Sequence, residues 1–230
     1  MRLFACTLLL AAAALAQDPL TLLPNNYRLL LENPTDRVIR VHYSPHEKLP
    51  VHNHSDKPTI YVYLSDSGPV RYTHVEEHPF TMVRQPLKAG TFRVSPGRLE
   101  KHDVENLGDI PTDYLRVELK NVPLGLQNDY FRSPRNFDES HTGVTSAYAI
   151  PRFGVDRIVA LAGDSVNLPK STHPALLIAF TPSAIGDGTL QSGEVAWLDA
   201  DRAGVVRSVD GAPKAHLLRI SFPAAKKSMR

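Results

Sequence analysis

A series of short strand-like segments runs through this chain and then runs through it again in the same order, which narrows the fold more than any other property of the sequence. Asp36-Arg37-Val38 returns as Asp156-Arg157-Ile158. Leu49-Pro50-Val51-His52-Asn53-His54 returns as Leu168-Pro169-Lys170-Ser171-Thr172-His173, and an apolar strand follows each. Leu87-Lys88-Ala89-Gly90 matches Leu190-Gln191-Ser192-Gly193, Asn106-Leu107-Gly108 matches Val209-Asp210-Gly211, and Tyr114-Leu115-Arg116-Val117 matches His216-Leu217-Leu218-Arg219. Two tandem units are therefore expected, at 17–120 and 150–230, joined by a connecting segment at 121–149.

The segments themselves read as β-structure. Arg37-Val38-Ile39-Arg40-Val41-His42-Tyr43 and Thr59-Ile60-Tyr61-Val62-Tyr63-Leu64 are short, β-branched or aromatic, and alternating. The 19 prolines would break most long helices, and no 3.6-residue apolar period is sustained beyond the N-terminus. An all-β sandwich or barrel follows. The connecting segment is rich in Asn, Pro, Ser and Asp without alternation and is expected to pack over the two units.

Residues 1–16 have a different grammar: Arg2, then the apolar run Leu3 to Ala13, then Ala14-Leu15-Ala16 before Gln17. That reads as a signal peptide with a small-x-small cleavage site, shorter than the roughly 20 residues needed to span a bilayer. It implies export to a periplasm or medium, with no membrane span after cleavage. The one cysteine, Cys6, lies inside it, so the mature chain has no thiol for disulfides, nucleophilic catalysis or metal binding. A formal charge of +2, or +1 without Arg2, gives no electrostatic case for nucleic acid or anionic lipid as a partner.

Histidine is left as the chief candidate ligand. His52 and His54 are two residues apart, so on a strand both imidazoles point to one face. His102 follows after hairpin-length segments that can return the chain to the same mouth. Three neutral imidazoles make a facial nitrogen set suited to a divalent transition metal, Fe, Zn, Mn, Ni or Cu. His42 and His46 lie close enough upstream to supplement the site. His74 and His78 sit in what reads as an exposed hairpin and are set aside.

These residues resemble the cupin superfamily, whose first motif is Gly-x5-His-x-His-x(3 or 4)-Glu-x6-Gly and whose second is Gly-x5-Pro-x-Gly-x2-His-x3-Asn. Gly90, Pro96, His102 and Asn106 follow the second motif, with a glycine at 97 and the histidine one residue late. His52 and His54 follow the first, but the position of its Glu falls on Pro58 or Thr59. The resemblance implies a double-stranded β-helix, the cupin jelly-roll barrel, in two tandem repeats, and pairing as a homodimer. A three-His sphere without the Glu resembles the thiol-dioxygenase branch, which binds Fe(II); zinc with three histidines and a water is equally sound.

Thr59, Tyr61 and Tyr63 share the face of the missing Glu and are the candidate substrate-pocket residues, although barrel packing explains each of them as well. The second repeat has Ser171 where the first has His52, Ile178 for Thr59, and Val205 or a neighbour for His102, so it reads as a degenerate barrel. No Gly-x-Ser-x-Gly elbow, phosphate-cradling loop or His-Glu-x-x-His helix is present. Two readings remain open: a metal-dependent enzyme acting on a small molecule, or a non-catalytic module binding a small ligand in the same pocket.

Overall fold

The alternation is realised as antiparallel sheet almost throughout the computed structural model, which describes residues 18–122 and 130–222. The expected signal peptide lies outside them. A four-residue helix, α1 (Pro19–Leu22), capped by the Asp18 carboxylate on the Leu20 amide, leads into the first strand. Among the described residues no helix is long and apolar enough to cross a membrane.

The first half contains β1 (Tyr27–Glu32), β2 (Asp36–Tyr43), β3 (Lys48–His54), β4 (Thr59–Tyr63), β5 (Val70–His74), β6 (Phe80–Arg84), β7 (Phe92–Ser95), β8 (Glu100–Asn106) and β9 (Thr112–Leu119). A short β10 (Phe131–Arg132) follows. The second half contains β11 (Gly143–Ile150), β12 (Phe153–Leu161), β13 (Ser165–Leu168), β14 (Ala175–Ala179), β15 (Ser183–Ile185), β16 (Gly188–Leu190), β17 (Val195–Leu198), β18 (Gly204–Ser208) and β19 (Lys214–Ser221).

Each half pairs a large sheet with a small one. In the first, β1-β2-β9-β4-β7-β10 faces β3-β8-β5-β6; in the second, β11-β12-β19-β14-β17 faces β13-β18-β15-β16. Apart from β10 the two strand orders are the same, so the expected tandem barrels are present. Two parts of the stretch expected to be connection are strands: β10 adds to the edge of the first large sheet through Phe131 opposite Val94, and β11 is the edge of the second.

The register corrects the sequence alignment of the repeats. Tyr114 sits opposite both Val41 and Tyr63, and Leu217 sits opposite both Ile158 and Ala179. Tyr114-Leu115-Arg116-Val117 therefore corresponds to Leu217-Leu218-Arg219-Ile220, one residue later than expected. Arg157 corresponds to Arg40 rather than Arg37. Ile178 corresponds to Val62, leaving Ala175 as the counterpart of Thr59. The sequence match was misled because apolar residues on both faces of these central strands make neighbouring registers look alike.

Both faces of β4 and β14 are buried. Tyr61 and Tyr63 point into the first barrel, while Ile60 and Val62 join Leu115, Val117, Leu176, Ile178, Leu218 and Ile220 in a core between the two large sheets. The barrels thus share their largest apolar interface. The contact is nearly reciprocal: Gly90 and Gly193 both have φ near +80°, at +79° and +81°. A Cβ on the first would meet Arg157 at 3.3 Å, and a Cβ on the second would meet Arg40 at 3.2 Å. Both glycines supply a left-handed turn and room for the other barrel's arginine.

Candidate metal centre

The local irregularity of β3 aims the histidines. Between Leu49 and His52 the β3–β8 pairing shifts register, and Pro50 and Val51 lie exposed in the bulge. Leu49 and His52 are three residues apart, yet both are buried, as a bulge permits. Proline is tolerated there because no ladder amide is required of it. Past the bulge, His52 faces His102 across the strands and His54 faces Glu100.

The three imidazoles converge. Their ring centroids are 4.9 Å (His52–His54), 5.0 Å (His52–His102) and 5.0 Å (His54–His102) apart, and one ligand nitrogen from each lies within 4.8 Å of the others. Nitrogens on one zinc can be at most about 4.2 Å apart, twice a bond of roughly 2.1 Å, so small side-chain adjustments would complete a coordination sphere. All three are buried.

Burial holds them neutral, which is the form a metal needs. It pushes His102 down to about 3, against the pull of Glu100. It also lowers His52, and it lowers His54 well below the usual imidazole range with help from Arg116 and the other histidines. Neither ring nitrogen of His102 has a hydrogen-bond partner among the described residues. A buried polar atom left so costs about 1–3 kcal/mol, and a bound cation would satisfy one of the two. The donor set therefore fits a divalent transition metal.

His52 is held differently. Its Nδ1–H donates to the Pro50 carbonyl at 2.9 Å, which leaves the Nε2 lone pair free to accept from the Tyr27 hydroxyl at 2.8 Å. Burial raises the Tyr27 phenol well above its ordinary value, so it stays a donor. Tyr43 and Tyr114 continue the chain, with hydroxyls 3.0 and 2.8 Å apart in turn. Once Tyr27 donates to His52, Tyr43 must donate to Tyr27, and Tyr114 to Tyr43.

A cavity of about 300 Å³ opens beside His54 and His102 and is walled by Tyr61, Tyr72, Tyr114 and several arginines. Glu100 lines it too. Burial alone would raise this carboxyl, but Arg116 at 3.6 Å and Arg98 at 3.2 Å hold it down at about 2. It stands two residues before His102 on the same strand face, so the acid missing from the first motif has a neighbour in the second. Its oxygens are outside the three-nitrogen cluster.

The other expectations divide. Tyr61 lines this cavity and accepts from Arg116 at 3.0 Å. Tyr63 lines an adjoining one of about 180 Å³. Thr59 is buried with its hydroxyl donating to the Lys57 carbonyl, so it reaches neither. His42 and His46 turn outward to Asp113 and Asp109 and do not join the site.

His74, set aside as exposed, is 2% exposed, stacks on Phe80 at 4.3 Å and meets the His102 ring edge-on at 5.1 Å. The cause is β-pairing: β5 lies against β8 with His74 opposite His102, so the hairpin is part of the barrel wall. His78 is exposed. Sequence reasoning also missed Tyr27 and Arg116, although a charged residue inside the apolar run Tyr114 to Leu119 was a signal that something polar lay opposite.

No protein-family model and no curated protein matches the chain. Solved structures do. AerE from Microcystis aeruginosa aligns with a TM-score of 0.58 at 14% identity, over 86% of this chain and 97% of that one. YhaK from Escherichia coli aligns at 0.56 and 16%, over 90% and 89%. A salicylate 1,2-dioxygenase from Pseudaminobacter salicylatoxidans aligns at 0.55 and 13%, over 88% and 78%. At these identities the likeness is one of fold, and with its two like-ordered barrels this chain has the cupin fold in a bicupin-like arrangement.

Proposed function

We propose that the first barrel is a mononuclear metal centre, held by His52, His54 and His102, that acts on a small molecule in the adjoining cavity. The observation that carries this is the convergence of three buried neutral imidazoles, one with both nitrogens unpartnered, at the wall of that cavity. A divalent ion held by three neutral nitrogens keeps open positions and supplies Lewis acidity or, as iron, dioxygen chemistry. Dioxygenation is the reaction class we favour, and a dioxygenase stands among the fold relatives. The chain's own residues would shape the site: Pro50 fixes the His52 tautomer, and the tyrosine walls limit access of water.

Metal analysis of the purified chain after loading with Fe(II) or Zn(II) tests the centre. One equivalent is expected, falling to a small fraction in His102→Ala and His54→Ala; retention in both variants would overturn the assignment. The hydrogen bond from Tyr27 to His52 Nε2 favours the other reading, a metal-free binding module, since it occupies a lone pair the metal would use. Absence of metal uptake together with ligand binding would establish that reading. We extend the proposal to export on the strength of residues 1–16. A mature N-terminus at Gln17 in exported protein would support it, and a retained leader in the cytoplasm would oppose it.

A further inference from the structure

The cavity next to the histidines is crowded with positive charge that the protein does not neutralise. Arg98 and Arg116 are matched by Glu100 and Glu118. Arg84, Arg93 and Arg132 have no carboxylate within 4.0 Å among the described residues, and all three line both this cavity and the adjoining one. Their polar partners are tyrosine hydroxyls: Arg84 donates to Tyr72 at 3.0 Å, and Arg132 donates to Tyr130. Arg93 lies over the Tyr61 ring at 4.0 Å, and its buried Nε has no partner.

Three arginines around one hollow repel one another, and the partial burial of Arg84 and Arg93 makes their unmatched charges costlier. A guanidinium presents paired donors whose geometry suits a carboxylate. The three come from different places: Arg84 from β6, Arg93 from β7, and Arg132 from β10, the strand the inter-repeat segment adds to the sheet edge. The second barrel has nothing equivalent. Its register puts Leu190 where the first has Arg84, and Ala196 where it has Arg93. The arginines are thus confined to the barrel that has the three histidines.

We propose that Arg84, Arg93 and Arg132 form a receptor for a small organic carboxylate, whose body lies among Tyr61, Tyr72 and Tyr114 beside the histidine cluster. This deepens the function proposed above and rests on that cavity being its substrate site. The arginines hold the carboxylate, while the remainder of the molecule reaches toward His54 and His102. A metal bound by neutral imidazoles would add further positive charge and favour an anionic ligand still more.

Calorimetric titration of the full chain, metal-free and metal-loaded, with benzoate and its neutral counterpart benzamide tests the receptor. Benzoate is expected to bind both forms at least tenfold more tightly than benzamide. Arg93→Gln should remove most of that preference. Arg132→Gln, at an exposed strand edge where folding is not at risk, should reduce it several-fold. Equal binding of the two probes, no binding of benzoate, or binding that needs the metal and ignores both arginine variants would overturn the receptor. Failure of metal uptake with arginine-dependent benzoate binding intact would instead overturn only the metal centre.

Discussion

The two barrels share strand order and, apart from the bulge at Pro50, most of their register, and they differ in what fills them. At corresponding positions the first has Tyr43, His52, Tyr61, Tyr63, His102 and Tyr114, and the second has Ala160, Leu168, Leu177, Ala179, Gly204 and Leu217, so the pairing puts Leu168, not the expected Ser171, at the place of His52. The second interior is a continuous apolar cluster around Ile158, Leu168, Leu177 and Leu217. The first is a tyrosine-lined chamber with hydrogen-bonded hydroxyls, buried imidazoles and a hollow. An apolar barrel is stabilised by burial and close packing, whereas a polar one must satisfy each buried group or leave it for a ligand. One copy can therefore specialise in stability while the other retains a site, provided they share a core. The core between the large sheets fulfils that condition.

The largest effect that could break this contrast comes from the apolar barrel. Leu217→Ala should cost about 3 kcal/mol, within the usual range for a leucine truncated in a packed core, and should lower the urea midpoint accordingly. Metal stoichiometry should not change in the variant that folds. A loss of metal there would show that the barrels are not separable in role.

Next comes the joint between them. His216 accepts from Arg157 at 2.6 Å on Nε2 and approaches Glu139 with Nδ1 at 3.1 Å, while Arg157 also donates to the Gly90 carbonyl at 2.8 Å. Burial first, then the charges of Arg157 and Lys214, push His216 from 6.5 down to about 3. Between those values the unfolded chain binds more protons than the folded one, so this group's stabilisation is complete above about pH 6.5 and is lost as pH falls toward about 3. Urea titrations at a series of pH values should show a flatter acid slope for His216→Gln than for the unaltered chain. An unchanged slope would mean that the joint does not respond to acid.

The smallest effects sharpen the polar barrel. Tyr114→Phe removes the outer hydroxyl of the chain leading to His52 and should cost about 1 kcal/mol in thermal or urea unfolding. Tyr27→Phe removes the competitor for the His52 lone pair, so competitive chelator titration should show metal affinity rising several-fold, roughly 1 kcal/mol. A weaker affinity would instead make the Tyr27 hydroxyl a supporter of the metal.

The strand-rich architecture, its duplication and the three histidines were legible along the chain, because alternation along a strand and spacing in a motif are local properties. The sequence also marked the second repeat as the one without the constellation. Register and company came from folding alone. The bulge at Pro50 turns His52 inward, the pairing of β5 with β8 brings His74 against His102, and Tyr27 arrives from an edge strand to bond His52. Arg84, Arg93 and Arg132 line the histidines' cavity from three separate strands, and Thr59 turns away to a backbone carbonyl. Such meetings depend on which strands are neighbours and on single-residue register, and a one-residue slip reverses every side chain, so no local pattern could have specified them.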